Sequence, residues 1–120
     1  MLVMIADDDE MTRTVLRTML QKAGHVVVAE AESGTAVLDQ CNRQHPDVLF
    51  LDINMPGMSG FEVLEQLRPI YPQLHVIMIS ASSTLENVRA AAKFGVIGFL
   101  VKPFTPEKVL EILKATEPSI

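Results

Sequence analysis

Five short runs rich in β-branched or aliphatic residues, Leu2 to Ile5, Val26 to Ala29, Val48 to Leu51, Leu74 to Ile79 and Val96 to Val101, constrain this chain more than any other feature. Runs so continuously apolar leave no polar face for water, and they predict strands covered on both sides. Between them the period changes. Val15, Leu16, Met19, Leu20 and Ala23 share one helical stripe, and Val109, Leu110, Ile112 and Leu113 share another. Weaker helical stretches read around Ala36 to Cys41, Phe61 to Leu67 and Leu85 to Phe94. Each run is therefore followed by a helix, and right-handed crossovers make the sheet parallel with helices on both faces.

The punctuation agrees with this alternation. Gly24 and Gly95 stand where helices should stop, and Ser33 and Thr105 where they should start. Pro46, Pro69, Pro72 and Pro103 all fall at junctions, where a missing backbone N–H harms neither helix nor ladder. The 120 residues contain no linker and read as one domain, with the tail from Thr116 to Ile120 either a frayed end or the place where a longer chain was cut.

Composition excludes several classes of function. A net charge of −5 offers no general attraction to nucleic acid or to an anionic membrane surface, so neither is expected as a direct partner. Met1 to Ala6 runs straight into Asp7, Asp8, Asp9 and Glu10, unlike the basic start and longer apolar core of a signal peptide. The single cysteine, Cys41, has no partner for an internal disulfide, and His25, His45 and His75 share no spacing that suits a metal. A cytoplasmic location is the expectation.

In an open parallel sheet, chemistry collects in the crevice beyond the carboxyl ends of the strands. Asp7 and Asp8 follow the first run, Asp52 ends the third, Ser80 follows the fourth, and Lys102 follows the fifth. Three carboxylates within ~5 Å repel by ~3 kcal/mol per pair at an effective dielectric of ~20, and one lysine compensates only part of this. A divalent cation resolves the deficit. Oxygen donors from Asp7, Asp8, Asp52 and the backbone carbonyl of Asn54 suit Mg²⁺ better than zinc or copper. The loop from Asp52 to Gly60 carries Pro56, Gly57 and Gly60 and is expected to present the Asp52 carboxylate rather than bury it. Beside Mg²⁺ that carboxylate is placed to attack phosphorus in line, with the lysine and a hydroxyl sharing the charge on the other oxygens. Met55 and Met58 are expected near the site with some exposure, and the remaining methionines and Cys41 as core.

The segments Met4 to Asp9, Asp52 to Gly60, Ile77 to Ala81 and Gly98 to Phe104, in this order and at strand ends, resemble the receiver domain of two-component response regulators. The resemblance spans the whole chain and is nearest to the stand-alone chemotaxis-type (CheY-like) regulators. It implies an α/β fold of the flavodoxin-like kind, a three-layer sandwich whose five-stranded parallel sheet has the order 2-1-3-4-5 with five helices. It implies that Asp52 accepts a phosphoryl group from a histidine kinase or histidine phosphotransfer protein. Asp8 and Asp52 then bind Mg²⁺ directly, Asn54 adds its backbone carbonyl, and Asp7 acts through a metal-bound water. Lys102 pairs with the phosphoryl oxygen. Ser80 hydrogen-bonds it, and Phe99 is the switch aromatic that turns inward with Ser80. The Lys102–Pro103 peptide is expected to be cis, and helix four, strand five and helix five to form the output surface for a downstream effector. Asn54 and Ser82 occupy the two positions that tune autodephosphorylation in the family.

Two departures matter. Phe99 stands where the family commonly has tyrosine, so no partner contact through a hydroxyl is available. Gly95 to Gly98 lacks the acids that transcription-factor receivers use for symmetric dimers. On this reading the chain turns over no metabolite and catalyses only its own phosphotransfer and dephosphorylation. The alternative is a small Mg²⁺-dependent phosphatase of the dehalogenase-like type, but its second acid, two residues after the nucleophile, is here Asn54, and a cap region is missing. A flavodoxin-like cofactor binder is disfavoured because Asp7 to Asp9 would repel a phosphate after the first strand.

Overall fold

The computed structural model describes residues 1–82, 84–114 and 116. Strands and helices alternate throughout: β1 (Leu2–Ala6), α1 (Glu10–Lys22), β2 (Val26–Ala31), α2 (Gly34–Gln44), β3 (Val48–Asp52), α3 (Gly60–Leu67), β4 (His75–Ser80), α4 (Leu85–Lys93), β5 (Gly98–Val101) and α5 (Pro106–Lys114). All pairings are parallel, and the sheet order is β2-β1-β3-β4-β5. The chain thus has the α/β architecture expected of it.

Alternation along the strands divides the core in two. Met4, Ala6, Leu49, Leu51, Val76 and Met78 point to one face, where α2, α3 and α4 cover them through Val37, Cys41, Val63, Leu64, Leu67 and Ala91. Val3, Ile5, Val48, Phe50, Ile77 and Ile79 point to the other, under Leu16 and Leu20 of α1 and Val109 and Leu113 of α5. Burial raises the Cys41 thiol to about 11, which keeps it protonated and inert as a packed apolar side chain.

The edges depart from expectation. β1, β3 and β4 are buried nearly throughout, but β2 lies on an edge and is mostly half-exposed, with Val26 open to solvent. A strand with one neighbour cannot be covered as fully as one with two. β5, the other edge, begins only at Gly98, two residues later than the apolar run, because Gly95 takes a left-handed turn out of α4 (φ +68°). Thr116 is not frayed: its side chain is buried and donates to the Leu113 carbonyl at 2.8 Å. The rest of the tail, 117–120, lies outside the described residues.

Caps fix the helix starts. Asp9 accepts from the Met11 N–H, Ser33 from Ala36, Thr84 from Asn87, and Thr105 from Lys108. Ser59 and Glu62 form a reciprocal capping box on α3. Arg68, just past α3, donates to the carbonyls of Phe94 and Leu74, both at 2.6 Å, and to Gly95 at 3.2 Å, tying the end of α4 to the turn before β4. Because all strands are parallel, the loops after β1, β3, β4 and β5 lie together at the carboxyl end of the sheet, opposite the Arg68 ties.

Candidate functional site

Asp52 is the last residue of β3, the central strand, and pairs with Ile79 of β4. Ala6 ends β1 alongside it, so the turn carrying Asp7 and Asp8 comes to lie next to Asp52. One carboxylate oxygen from each of Asp7, Asp8 and Asp52 lies within 4.8 Å of the other two. Lys102, immediately after β5, reaches across with Nζ 2.8 Å from Asp7 Oδ2 and 3.5 Å from Asp52 Oδ2.

Asp52 is 4% exposed, contrary to the expectation that its loop presents it to solvent. Its place in the middle of the sheet buries it. The loop also closes tightly over it: the Gly60 N–H donates to the Ile53 carbonyl at 2.7 Å, and a Cβ on Gly60 would sit 2.5 Å from the Asp52 carbonyl oxygen. Gly57 turns the same loop at φ +83°, a left-handed conformation that favours glycine. Met55 is buried and Met58 half-buried against the core, so neither methionine lies open beside the site.

Burial also governs the charge of Asp52. Loss of water pushes its carboxyl up to about 6; the Asn54 N–H, donating to Oδ1 at 3.0 Å, works against this, Asp7 and Asp8 add to it, and Lys102 opposes it. Lys102 has the opposite balance. Burial alone would lower its ammonium, but the close contact with the Asp7 carboxylate and the field of Asp52 outweigh it and raise the lysine above its ordinary value. Asp9, fully exposed, caps α1 and is held below the usual carboxylate range, chiefly by the Thr12 hydroxyl.

The donor set suits a hard divalent cation. Asp7 is fully buried, and its Oδ1 accepts the Asp9 N–H at 2.8 Å. Oδ2 meets the lysine off the hydrogen-bonding direction, so it has charge pairing but no aligned hydrogen bond. Asp8 and Asn54 are exposed at the mouth. A nook with three acids, one cation and an unsatisfied buried oxygen fits Mg²⁺ and its waters by charge and by chemistry.

Ser80, at the end of β4, is buried and its Oγ accepts the Ser82 N–H at 3.1 Å. Phe99 pairs with Met78 across β4 and β5 and is half-buried against the core face that α4 covers. The Lys102–Pro103 peptide is cis. Asp7, Asp8, Asp52, Asn54, Ser80 and Lys102 all lie at the carboxyl end of the sheet, while Phe99 sits on the strand leading to Lys102. Sequence reasoning missed Arg13 and Glu30, which approach this end from α1 and β2 and whose only signal was their charge.

A 2-1-3-4-5 sheet with acids beyond its first and third strands and a lysine beyond its fifth is the frame of a receiver domain, and this chain belongs to the response regulator receiver domain family, whose model matches residues 3–114. Within that family it is 36% identical over 114 residues to the chemotaxis protein CheY of Bacillus subtilis, covering 95% of both chains. It is 39% identical to the nitrate/nitrite response regulator protein NarP of Escherichia coli, covering 94% of this chain but 53% of that one. Among solved structures, the complex of CheX and CheY with beryllofluoride and magnesium from Borrelia burgdorferi matches with a TM-score of 0.93 at 28% identity, covering 98% of this chain and 90% of that one. Vibrio cholerae CheY4 matches with a TM-score of 0.89 at 31% identity, covering 97% and 98%. The chain is a response regulator receiver, a signalling protein, and the phosphatase reading is not favoured.

Proposed function

We propose that residues 1–120 act as one phosphorylation-controlled switch in which Asp52 accepts a phosphoryl group from a histidine kinase or histidine phosphotransfer protein. The observation that carries this is the pairing of a buried, strand-end Asp52 with one lysine and two further acids. Asp8, Asp52 and the Asn54 carbonyl would hold Mg²⁺, with Asp7 acting through its waters. When bound, the ion supplies positive charge that screens the acids and polarises phosphoryl oxygens. Magnesium in the related Borrelia complex supports the assignment.

Asp52 acts as the nucleophile: an oxygen–phosphorus bond forms as the donor's phosphorus–nitrogen bond breaks, and the electron pair leaves with the donor nitrogen. Lys102 shifts its ion pair from the acids to the new phosphoryl oxygens. Ser80 donates its hydroxyl to one of them and gives up its contact with the Ser82 amide. The added group carries about −1.5 to −2 charge at neutral pH, and contacts made only in its presence bias the conformer in which α4 and Phe99 are rearranged. Leu85 and Val88 on α4, Val101 on β5 and Leu110 on α5 are exposed and provide an apolar output surface for an effector protein. Phe99 contributes no hydroxyl to it. No helix among the described residues is long and apolar enough to cross a membrane, in keeping with a proposed cytoplasmic location.

Incubation with acetyl phosphate and Mg²⁺ tests this reading. An acid-stable, hydroxylamine-sensitive phosphoryl group, absent from Asp52→Ala, is expected. Its absence from the wild-type chain, or many cycles of phosphate-ester hydrolysis per protein, would overturn the assignment.

Two further outcomes follow from the same contacts. Because Asp52 titrates near 6 and the ion needs its carboxylate, Mg²⁺ affinity should be flat above about pH 7 and fall by up to about tenfold per pH unit below 6, as read by calorimetry. Ser80→Ala should weaken phosphorylation-dependent effector binding more than phosphorylation itself, which a pull-down with and without beryllofluoride checks; equal loss of both contradicts this division of labour.

A further inference from the structure

Arg13 lies on α1, away from the carboxylates, yet its side chain is 14% exposed and points back toward the strand ends. Its Nη1 donates to the backbone carbonyl of Asp7 at 2.6 Å, while its Nε stands 3.4 Å from Glu30 Oε1 on β2. Arg17, one turn further along α1, holds the other Glu30 oxygen at 2.6 Å. The Asp7 N–H meanwhile donates to the Ala31 carbonyl at 3.0 Å. The Asp7 carbonyl belongs to the peptide that joins Asp7 to Asp8. Arg13 therefore fixes the plane of the peptide from which the Asp8 side chain departs, and Glu30 fixes Arg13 against the edge strand.

We infer that Arg13, braced by Glu30, is a positioning residue that orients the Asp7–Asp8 peptide so that Asp8 faces Asp52 for cation binding. This rests on the proposed reading of the site and deepens it. Two physical effects of Arg13 oppose each other, which makes the inference testable by sign. As a nearby cation it disfavours Mg²⁺ through space, and its removal would tighten binding. As a brace for a ligand it favours Mg²⁺, and loss of an outer partner of this kind typically weakens metal affinity about tenfold or more. The brace should win, because the Nη1 bond at 2.6 Å acts directly on the peptide that carries Asp8, whereas the through-space repulsion is weakened by the Glu30 carboxylate, shared with Arg17, and by water at the mouth of the site.

The experiment is a calorimetric Mg²⁺ titration of the wild-type chain, Arg13→Met, Arg13→Lys and Glu30→Gln, with each variant's folding checked by urea unfolding. Arg13→Met should bind about tenfold more weakly, Arg13→Lys should recover part of the loss, and the milder Glu30→Gln should shift in the same direction by about threefold. Combining Arg13→Met with Glu30→Gln should add little, since both act through one path. In acetyl phosphate reactions the Mg²⁺ concentration at half-maximal rate should rise about tenfold while the rate at saturating Mg²⁺ stays within about twofold. Unchanged or tighter Mg²⁺ binding by both Arg13→Met and Glu30→Gln, beside normal wild-type binding, overturns this inference alone. A wild-type chain that takes up no Mg²⁺ overturns the reading of the site and the inference with it. Should Arg13→Met fail to fold, the charge-conserving Arg13→Lys decides: weaker Mg²⁺ binding than the wild-type chain is expected, and unchanged or tighter binding overturns the inference.

Discussion

Metal-free Asp52→Asn should be more stable than the wild-type chain near neutral pH, although it takes up no phosphoryl group and binds Mg²⁺ about a hundredfold more weakly or worse. The nook holds a carboxyl whose folded value of about 6 lies above its ordinary 3.8. Between those values the folded chain binds more protons than the unfolded chain, so wild-type stability declines as pH rises through this window and the penalty is complete above it. A shift of this size corresponds to a few kcal/mol, and because the Asn54 N–H that donates to Oδ1 pairs less strongly with a neutral amide, a gain on the order of 2 kcal/mol is expected. The gain should vanish as pH falls toward 4, where wild-type Asp52 is itself neutral. Urea unfolding in the presence of a chelator, at about pH 7 and about pH 4, checks both the sign and its disappearance.

Lys102→Met should do the reverse. It removes the cation that, among the described residues, faces Asp7 at 2.8 Å and Asp52 at 3.5 Å, and it leaves two buried acids uncompensated. Breaking a buried pair from one side costs about 3–5 kcal/mol; because the lysine side chain is 26% exposed and water reaches the mouth of the site, about 2–3 kcal/mol is expected here. Without the lysine's field the Asp52 carboxyl is pushed further up, so the variant's deficit grows as pH rises and shrinks as pH falls. Mg²⁺ should then rescue the variant by more than it stabilises the wild-type chain, since the ion restores the missing charge. Thermal melts with and without Mg²⁺ separate this from a packing loss, which the ion would not repair. Phosphoryl uptake should slow while cation binding persists.

These opposite signs come from residues whose roles differed in legibility. The apolar runs marked the three inner strands well, because Val3, Ile5, Val48 to Leu51 and Val76 to Ile79 are covered on both faces. They marked the edges poorly: Val26 to Ala29 reads like an inner strand but has only one neighbour, and Val96 and Ile97 read as strand but precede it. The order of the strands came from the family resemblance, since no local pattern states which strand lies beside which. Asp7, Asp8, Asp52, Ser80 and Lys102 were legible because a charged or hydroxyl residue right after an apolar run points to the strand-end crevice. The burial of Asp52 was not, because it depends on Gly60 packing against its carbonyl from the next helix. Arg13 and Glu30 were hidden for a related reason. Each looks like an ordinary solvent-facing charge in its own element, and they meet only when α1 folds over β1 and β2.

The central claim is electrostatic: two buried acids, Asp7 and Asp52, with Asp8 at the mouth and Lys102 beside them, are completed by a divalent cation held between Asp8 and Asp52. Soaking crystals of the wild-type chain with Mn²⁺, which accepts the same oxygen ligands as Mg²⁺ and scatters anomalously, tests it most directly. The account predicts one strong anomalous peak in the nook, within about 2.5 Å of oxygens from both Asp8 and Asp52. No peak there, with the Asp8 and Asp52 side chains turned away from each other, would contradict it.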